Sequence, residues 1–331
     1  MLKVGLVGAG TMGATHGAAY KQMPDVTLVG VCDVGPVEPT RLADNLGTRS
    51  FPSLEAMLQA GPQVVDVCVP TPWHKECCLA AASAGCHVIC EKPLARTLPD
   101  ARAMIDACAN AGVSLFPAHV LRFFPQYASA KAMIDDGAIG TPAAIRTFRG
   151  DGFPQGYEDW YADFQKSGGL VLDMIIHDFD WLRWCFGPVQ RVFAKGLASR
   201  VHEHRDYALV TLRMRSGPIC HVEGTWTHPG GFNATLEAVG DAGMIEFAGS
   251  ATDPVHVRLR DGQGGQGGVP VPESPLAVDP YYAELRHFVD CLTAGATPIV
   301  TAEDGYRALE IALAALESIQ TGRVIALTEG A

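Results

Sequence analysis

The chain has 331 residues, 48% hydrophobic and 18% charged, and its 25 Lys+Arg against 36 Asp+Glu give a net charge of −11. That length favours two domains, and that composition supplies packed cores and excludes a disordered chain. The acidic balance argues against a nucleic-acid or anionic-membrane partner, and no run reaches the ~18 apolar residues of a membrane span.

The short apolar start, interrupted by Gly8, Gly10 and Gly13, does not read as a signal peptide. Ten cysteines without a Cys-x-x-Cys pair read as reduced, buried thiols of a cytoplasmic protein. Neither spacing nor clustered histidines suggest a metal site.

Residues 1–120 alternate apolar strands and helical stretches, the pattern of a doubly wound parallel sheet, a Rossmann domain. Strands are expected at 2–7, 26–32, 64–69, 86–90 and 113–118, and helices at 11–22, 37–46, 53–58, 74–84 and 98–110. Ser53 is the expected cap of its helix, and Gly85 and Gly112 end theirs.

Residues 121–331 read as a second, α+β domain for substrate binding and oligomerisation. A helix at 126–135 precedes strands at 143–149, 189–197, 207–213, 219–226, 233–239 and 244–247, a large, mostly antiparallel sheet. The glycine-rich stretch 262–268 reads as a hairpin tip, and helices at 281–293 and 302–321 close the chain.

Gly8-Ala9-Gly10-Thr11-Met12-Gly13 matches G-x-G-x-x-G between the first strand and first helix. Gly8 allows the tight turn, Gly10 lets backbone approach a pyrophosphate, and Gly13 permits close packing, with Thr11 and Met12 completing the loop. The phosphates meet the positive end of the helix dipole. Asp33, about 20 residues on, is placed to accept hydrogen bonds from the adenosine ribose. It would repel a 2′-phosphate, and no cation follows in Val34-Gly35-Pro36, so the expected cofactor is NAD in preference to NADP.

Two further carboxyl-end segments follow. Pro70-Thr71-Pro72-Trp73-His74 is expected near the nicotinamide half, with Pro70, Thr71 and His74 as cofactor contacts. Glu91-Lys92-Pro93 ends a buried strand: a lysine there costs free energy unless paired or used, and the proline stops strand pairing. Glu91 and Lys92 are placed beside the cofactor.

The stretch 168–184 is apolar, long and expected to be a helix, which puts Asp173 and His177 on one face. A carboxylate beside an imidazole raises the histidine's proton affinity and orients it, which suits a general base. A buried structural Asp–His pair is the alternative. Asp178 and Asp180 read as a solvated or cap-like pair, and His202 and His204 as part of a polar turn.

Together the glycine fingerprint, Glu91-Lys92-Pro93, His119-Val120-Leu121-Arg122-Phe123-Phe124-Pro125 and Asp173 with His177 resemble the Gfo/Idh/MocA oxidoreductase family over essentially the whole chain. The run Asp173 to Asp180 looks most like its inositol 2-dehydrogenase-like branch, with Ile175 departing from the glycine many members carry. The resemblance implies that Lys92, Asp173 and His177 meet in a cleft between the domains as the catalytic set. It also implies that Lys92–Pro93 is often cis, and that the second sheet pairs with other subunits in a homodimer or homotetramer.

The implied reaction is oxidation of a secondary alcohol on a cyclitol or sugar. His177 takes the proton, Asp173 orients it, and cationic Lys92 stabilises the alkoxide. Substrate contacts are expected from Lys92, Arg122, Asp151, Tyr157, Trp160, Asp173, His177 and His228, with Lys166, Trp226 and Phe232 as further candidates. An NADP-linked keto-sugar reductase, a nucleotide-sugar dehydrogenase and a non-catalytic dinucleotide sensor are the competing readings. Retention of both Lys92 and His177 weighs against the sensor.

Overall fold

A strand buried on both faces reads as a near-continuous apolar run, and the first strands of this chain are largely apolar. A computed structural model describes residues 1–197, 206–229, 231–248, 256–259 and 278–328. The stretch 262–268 and His202 and His204 lie outside the described residues.

The chain divides into two compact units, Met1–Phe123 with Val278–Leu309, and Phe124–Ala277 with Glu310–Ala331. In the first, β1 (Leu2–Val7), β2 (Val26–Cys32), β3 (Val64–Val67), β4 (His87–Glu91) and β5 (Leu115–Ala118) form a parallel sheet in the order β2-β1-β3-β4-β5. Helices α1 (Thr11–Tyr20), α2 (Thr40–Leu46), α3 (Leu54–Gln59), α4 (His74–Ser83) and α5 (Leu98–Ala111) make the crossovers. The order reverses beside β1, and the carboxyl ends there form the crevice where such sheets bind ligands. Local signals set the helix ends: Ser53 Oγ accepts the Ala56 N–H, and Gly112 closes α5 at φ 68°. α2 starts at Thr40, not residue 37, because Pro39 stands at its cap.

A single cut near residue 120 misses a return of the chain. Leu285, Phe288 and Val289 of α10 (Pro280–Thr293), with Val300, share a core with Leu2, Val4, Tyr20, Ile89 and Phe116. Phe288 stacks on Phe116 with ring centroids 4.9 Å apart. The apolar stripe of α10 therefore belongs to the first unit.

The second unit carries α6 (Pro125–Asp135), β6 (Pro142–Gly150), α7 (Phe164–Ser167), α8 (Gly169–Asp173), α9 (Ile176–Phe186), β7 (Val189–Leu197), β8 (Tyr207–Met214), β9 (Ile219–Thr225), β10 (Asn233–Gly240), β11 (Gly243–Ala248), β12 (His256–Leu259) and β13 (Ile325–Ala326). α11 (Ala302–Thr321) supplies residues to both units. The eight strands run β12-β11-β10-β6-β9-β8-β7-β13, antiparallel except for the parallel pair β6–β9. The short edge strands β12 and β13 go beyond the strands expected from sequence.

Alternation sets the faces of this sheet. Ala208, Val210, Leu212 and Met214 of β8 are buried, while Leu209 and Arg213 between them are exposed. No helix among the described residues is long and apolar enough to cross a membrane.

Candidate active site

Gly8 takes φ +115°, and a Cβ on it would meet the Cys68 carbonyl at 2.5 Å. A Cβ on Gly13 would meet the Gly8 carbonyl at 2.0 Å, so both positions require glycine. Gly10 has nothing within 4 Å of a Cβ position, which leaves open space at the start of α1. α1 has no side-chain cap. Its first amides and this open approach suit a pyrophosphate, so the residues present fit a dinucleotide.

Asp33 follows β2 and is tied back to that loop. Its Oδ2 accepts the Ala9 N–H and its Oδ1 the Gly35 N–H, both at 2.7 Å. Trp73 lies beside the turn after Asp33: a Cβ on Gly35 would meet its ring at 3.4 Å. Pro70 and Thr71 form the turn between β3 and α4. His74 is buried, with Nδ1 2.9 Å from the Pro93 carbonyl and Nε2 2.7 Å from that of Val69. Burial lowers its proton affinity against the pull of those two carbonyls. His74 thus links the backbone after β3 to the turn after Lys92.

Lys92 is half-buried directly after β4, and the Lys92–Pro93 bond is cis. Glu91 accepts the Lys92 N–H on Oε2 at 3.0 Å, and its Oε1 lies 3.3 Å from His16 Nε2. His16 Nδ1 lies 2.9 Å from Asp66 Oδ2, which also accepts the Tyr20 hydroxyl at 2.9 Å. Burial opposes charge on His16, but Cys68 and Asp66 outweigh it and hold the imidazole well above its ordinary range. Burial opposes ionisation of Glu91 too, and the bond to His16, then the charges of His16 and Lys92, bring it below the usual carboxylate range.

His16, Asp66 and Cys68 converge within 4.8 Å. Burial, with Asp66, pushes the Cys68 thiol up, against the opposing pull of His16. Sequence reasoning passed over this cluster. Its signals were a lone carboxylate in the apolar strand Val64-Val65-Asp66-Val67, and His16 with Tyr20 four apart on one helical face.

In the second unit the expected helix 168–184 is broken. α8 ends at Asp173 and α9 begins at Ile176, with Ile175 at ψ −1° between them. Asp173 and His177 therefore flank a break instead of sharing one continuous helical face. The cause is packing: Ile175, fully buried, reaches over β9, and a Cβ on Gly224 would lie 2.4 Å from its Cγ2. Ile175 accordingly packs into the sheet and does not face the site. From residue 170 to 182 every residue is buried except Asp173 and His177.

Asp178 and Asp180, read from sequence as a solvated or cap-like pair, are each 1% exposed. Asp178 receives Arg149 on both oxygens, Nε to Oδ2 at 2.9 Å and Nη2 to Oδ1 at 3.3 Å, and Arg149 also donates to the Tyr127 hydroxyl at 3.2 Å. This pair anchors α9 beside His177 to β6. A solvated pair was expected because its cation lies 29 residues away.

Near the carboxyl ends of the parallel strands β6 and β9, Asp151 and His228 are joined through backbone, the His228 N–H to the Asp151 carbonyl at 3.0 Å. Trp226 is buried, edge-on to Phe153 and Tyr161, and Trp160 lies 4.1 Å from Tyr161. Tyr157 opens a short turn at Tyr157–Asp159, Lys166 pairs with Asp163, and Phe232 is exposed. Arg122 is 3% exposed: its guanidinium donates to the Ile299 carbonyl at 2.6 Å and pairs with Asp304 at 3.4 Å, inside the first unit.

Residues 2–119 match an oxidoreductase family with an NAD-binding Rossmann fold, and residues 127–246 match the GFO/IDH/MocA C-terminal domain. A myo-inositol 2-dehydrogenase of Thermotoga maritima is 32% identical over 99% of both chains. A 1,5-anhydro-D-fructose reductase of Ensifer adhaerens is 33% identical over 85% of each. Among solved structures, a levoglucosan dehydrogenase complexed with NADH and levoglucosan superposes with a TM-score of 0.87 at 27% identity, covering 99% of both chains.

Proposed function

Because the chain belongs to the Gfo/Idh/MocA family of NAD-binding oxidoreductases, we propose that it oxidises a secondary alcohol of a cyclitol or sugar, with Lys92, Asp173 and His177 as its reacting groups. The observation that carries this reading is that Asp173 and His177 alone are only partly buried in the otherwise buried stretch 170–182. Burying every neighbour and leaving an acid and an imidazole accessible has no packing advantage.

In this reading His177 takes the hydroxyl proton and Asp173 orients the ring and stabilises its cation. Lys92 holds the developing alkoxide with its ammonium. The amides at the start of α1 hold the pyrophosphate, and Asp33 takes the ribose hydroxyls and disfavours a 2′-phosphate, so NAD is preferred over NADP. The nicotinamide, when bound, accepts the hydride. Asp151, Trp160 and His228 contribute flat apolar surface and hydrogen-bond partners for a hydroxyl-rich ring, and Tyr157 is assigned with them. The exposed Leu209 and Ile219 on the open sheet face suit packing of a second copy.

A second direction, reduction of a keto-sugar, is favoured by the likeness to the anhydrofructose reductase and uses the same groups in reverse. The test is a panel of cyclitols, sugars and keto-sugars with each nicotinamide cofactor, read by nicotinamide absorbance. Turnover on at least one cyclitol or sugar, faster with NAD, is expected. No turnover on any member contradicts the reading.

A further inference from the structure

Asp66 stands in the middle of an apolar strand and is fully buried. A buried carboxylate is costly unless paired. Tyr20 and the Nδ1 edge of His16 supply the partners. These bonds would complete a purely structural role, yet the ring continues beyond them. Nε2 faces Glu91 Oε1 at 3.3 Å, and the other Glu91 oxygen accepts the N–H of Lys92. One chain of polar contacts thus runs Tyr20–Asp66–His16–Glu91–Lys92 and joins α1, β3 and β4. An imidazole set between two carboxylates satisfies both only when each nitrogen carries a proton.

The geometry points to His16 as a positioning residue for Lys92: held by Asp66, it fixes the Glu91 carboxylate, which fixes the Lys92 backbone at the end of β4. The inference rests on the reading of Lys92 as the cation at the reacting oxygen. α1 also opens at the glycine loop, so the helix that meets the pyrophosphate is the one braced against the lysine turn. Displacement of a reacting group by about 1 Å can cost on the order of 10²-fold in rate, so small shifts at Glu91 reach turnover.

The experiment compares full-length wild type with His16→Asn, Glu91→Gln, the double variant and Lys92→Ala. It uses the best substrate of the cyclitol and sugar panel. The readouts are kcat, substrate KM and NADH affinity by fluorescence. Each of the first two single variants should lower kcat by about tenfold or more while NADH affinity stays within about threefold. The double variant should lose less than the product of the single losses, because removing both charges leaves neither buried without its partner.

Full turnover in Glu91→Gln, or losses that multiply, would overturn the inference. If His16→Asn does not fold, Glu91→Gln decides alone. If Lys92→Ala keeps its turnover, the reading of Lys92 falls and this inference with it. If Lys92→Ala is inactive while His16→Asn and Glu91→Gln run at full rate, only the positioning role falls.

Discussion

Asp33 Oδ2 accepts the Ala9 N–H at 2.7 Å, which fastens the carboxylate at the end of β2 to the glycine loop at the end of β1. The proposed ribose acceptor is therefore tied directly to the proposed phosphate loop. Asp33→Ala should weaken NADH binding by about tenfold or more, the scale of a lost hydrogen bond to a charged group. It should weaken NADPH binding less. Titration by nicotinamide fluorescence checks both, and an unchanged NADH-to-NADPH ratio would count against Asp33 as the discriminating group.

Gly224 is matched to Ile175. Gly224→Ala places a methyl 2.4 Å from a fully buried, β-branched side chain. It should cost about 1–3 kcal/mol and shift the segment carrying Asp173 and His177. Denaturant melts and kcat are the measurements.

Arg149 and Asp178 form a buried, two-point ion pair. Asp178→Ala leaves the guanidinium buried without its carboxylate and should cost about 3–5 kcal/mol. Arg149→Met with Asp178→Leu should recover most of that loss. A single variant that melts like wild type would show that the pair adds nothing.

The charge on His16 and Glu91 sets a pH window for the first unit. His16 is held above its ordinary 6.5, so its contribution to stability is fully present below 6.5 and is lost as pH rises through the higher folded value. Glu91 is held below 4.5, so its contribution is present above 4.5 and is lost as pH falls through the lower folded value. Thermal melts of wild type and His16→Asn should therefore converge on the alkaline side. Curves that stay parallel there contradict the assignment of charge to His16.

What the sequence made legible was local. The strand–helix alternation, the Ser53 cap, the Gly112 terminus and the glycine loop all depend on neighbours within a few residues. What it concealed was long-range. Asp66 and His16 are 50 residues apart, so neither reveals the other. Nothing in the stretch 168–184 announces the break at Ile175, because its cause is a glycine on β9. The apolar stripe of α10 read as a late helix of the second domain, and only packing against Leu2 and Phe116 returns it to the first.

Lys92 is the group on which the proposed chemistry turns. The most direct measurement is the single-turnover rate of NADH formation by Lys92→Ala and wild type, both saturated with NAD, on the best substrate of the panel. Loss of a preorganised charge at the developing oxyanion predicts a rate lower by on the order of 10²–10³-fold, with NADH affinity within about threefold. A Lys92→Ala rate near that of wild type would contradict the account.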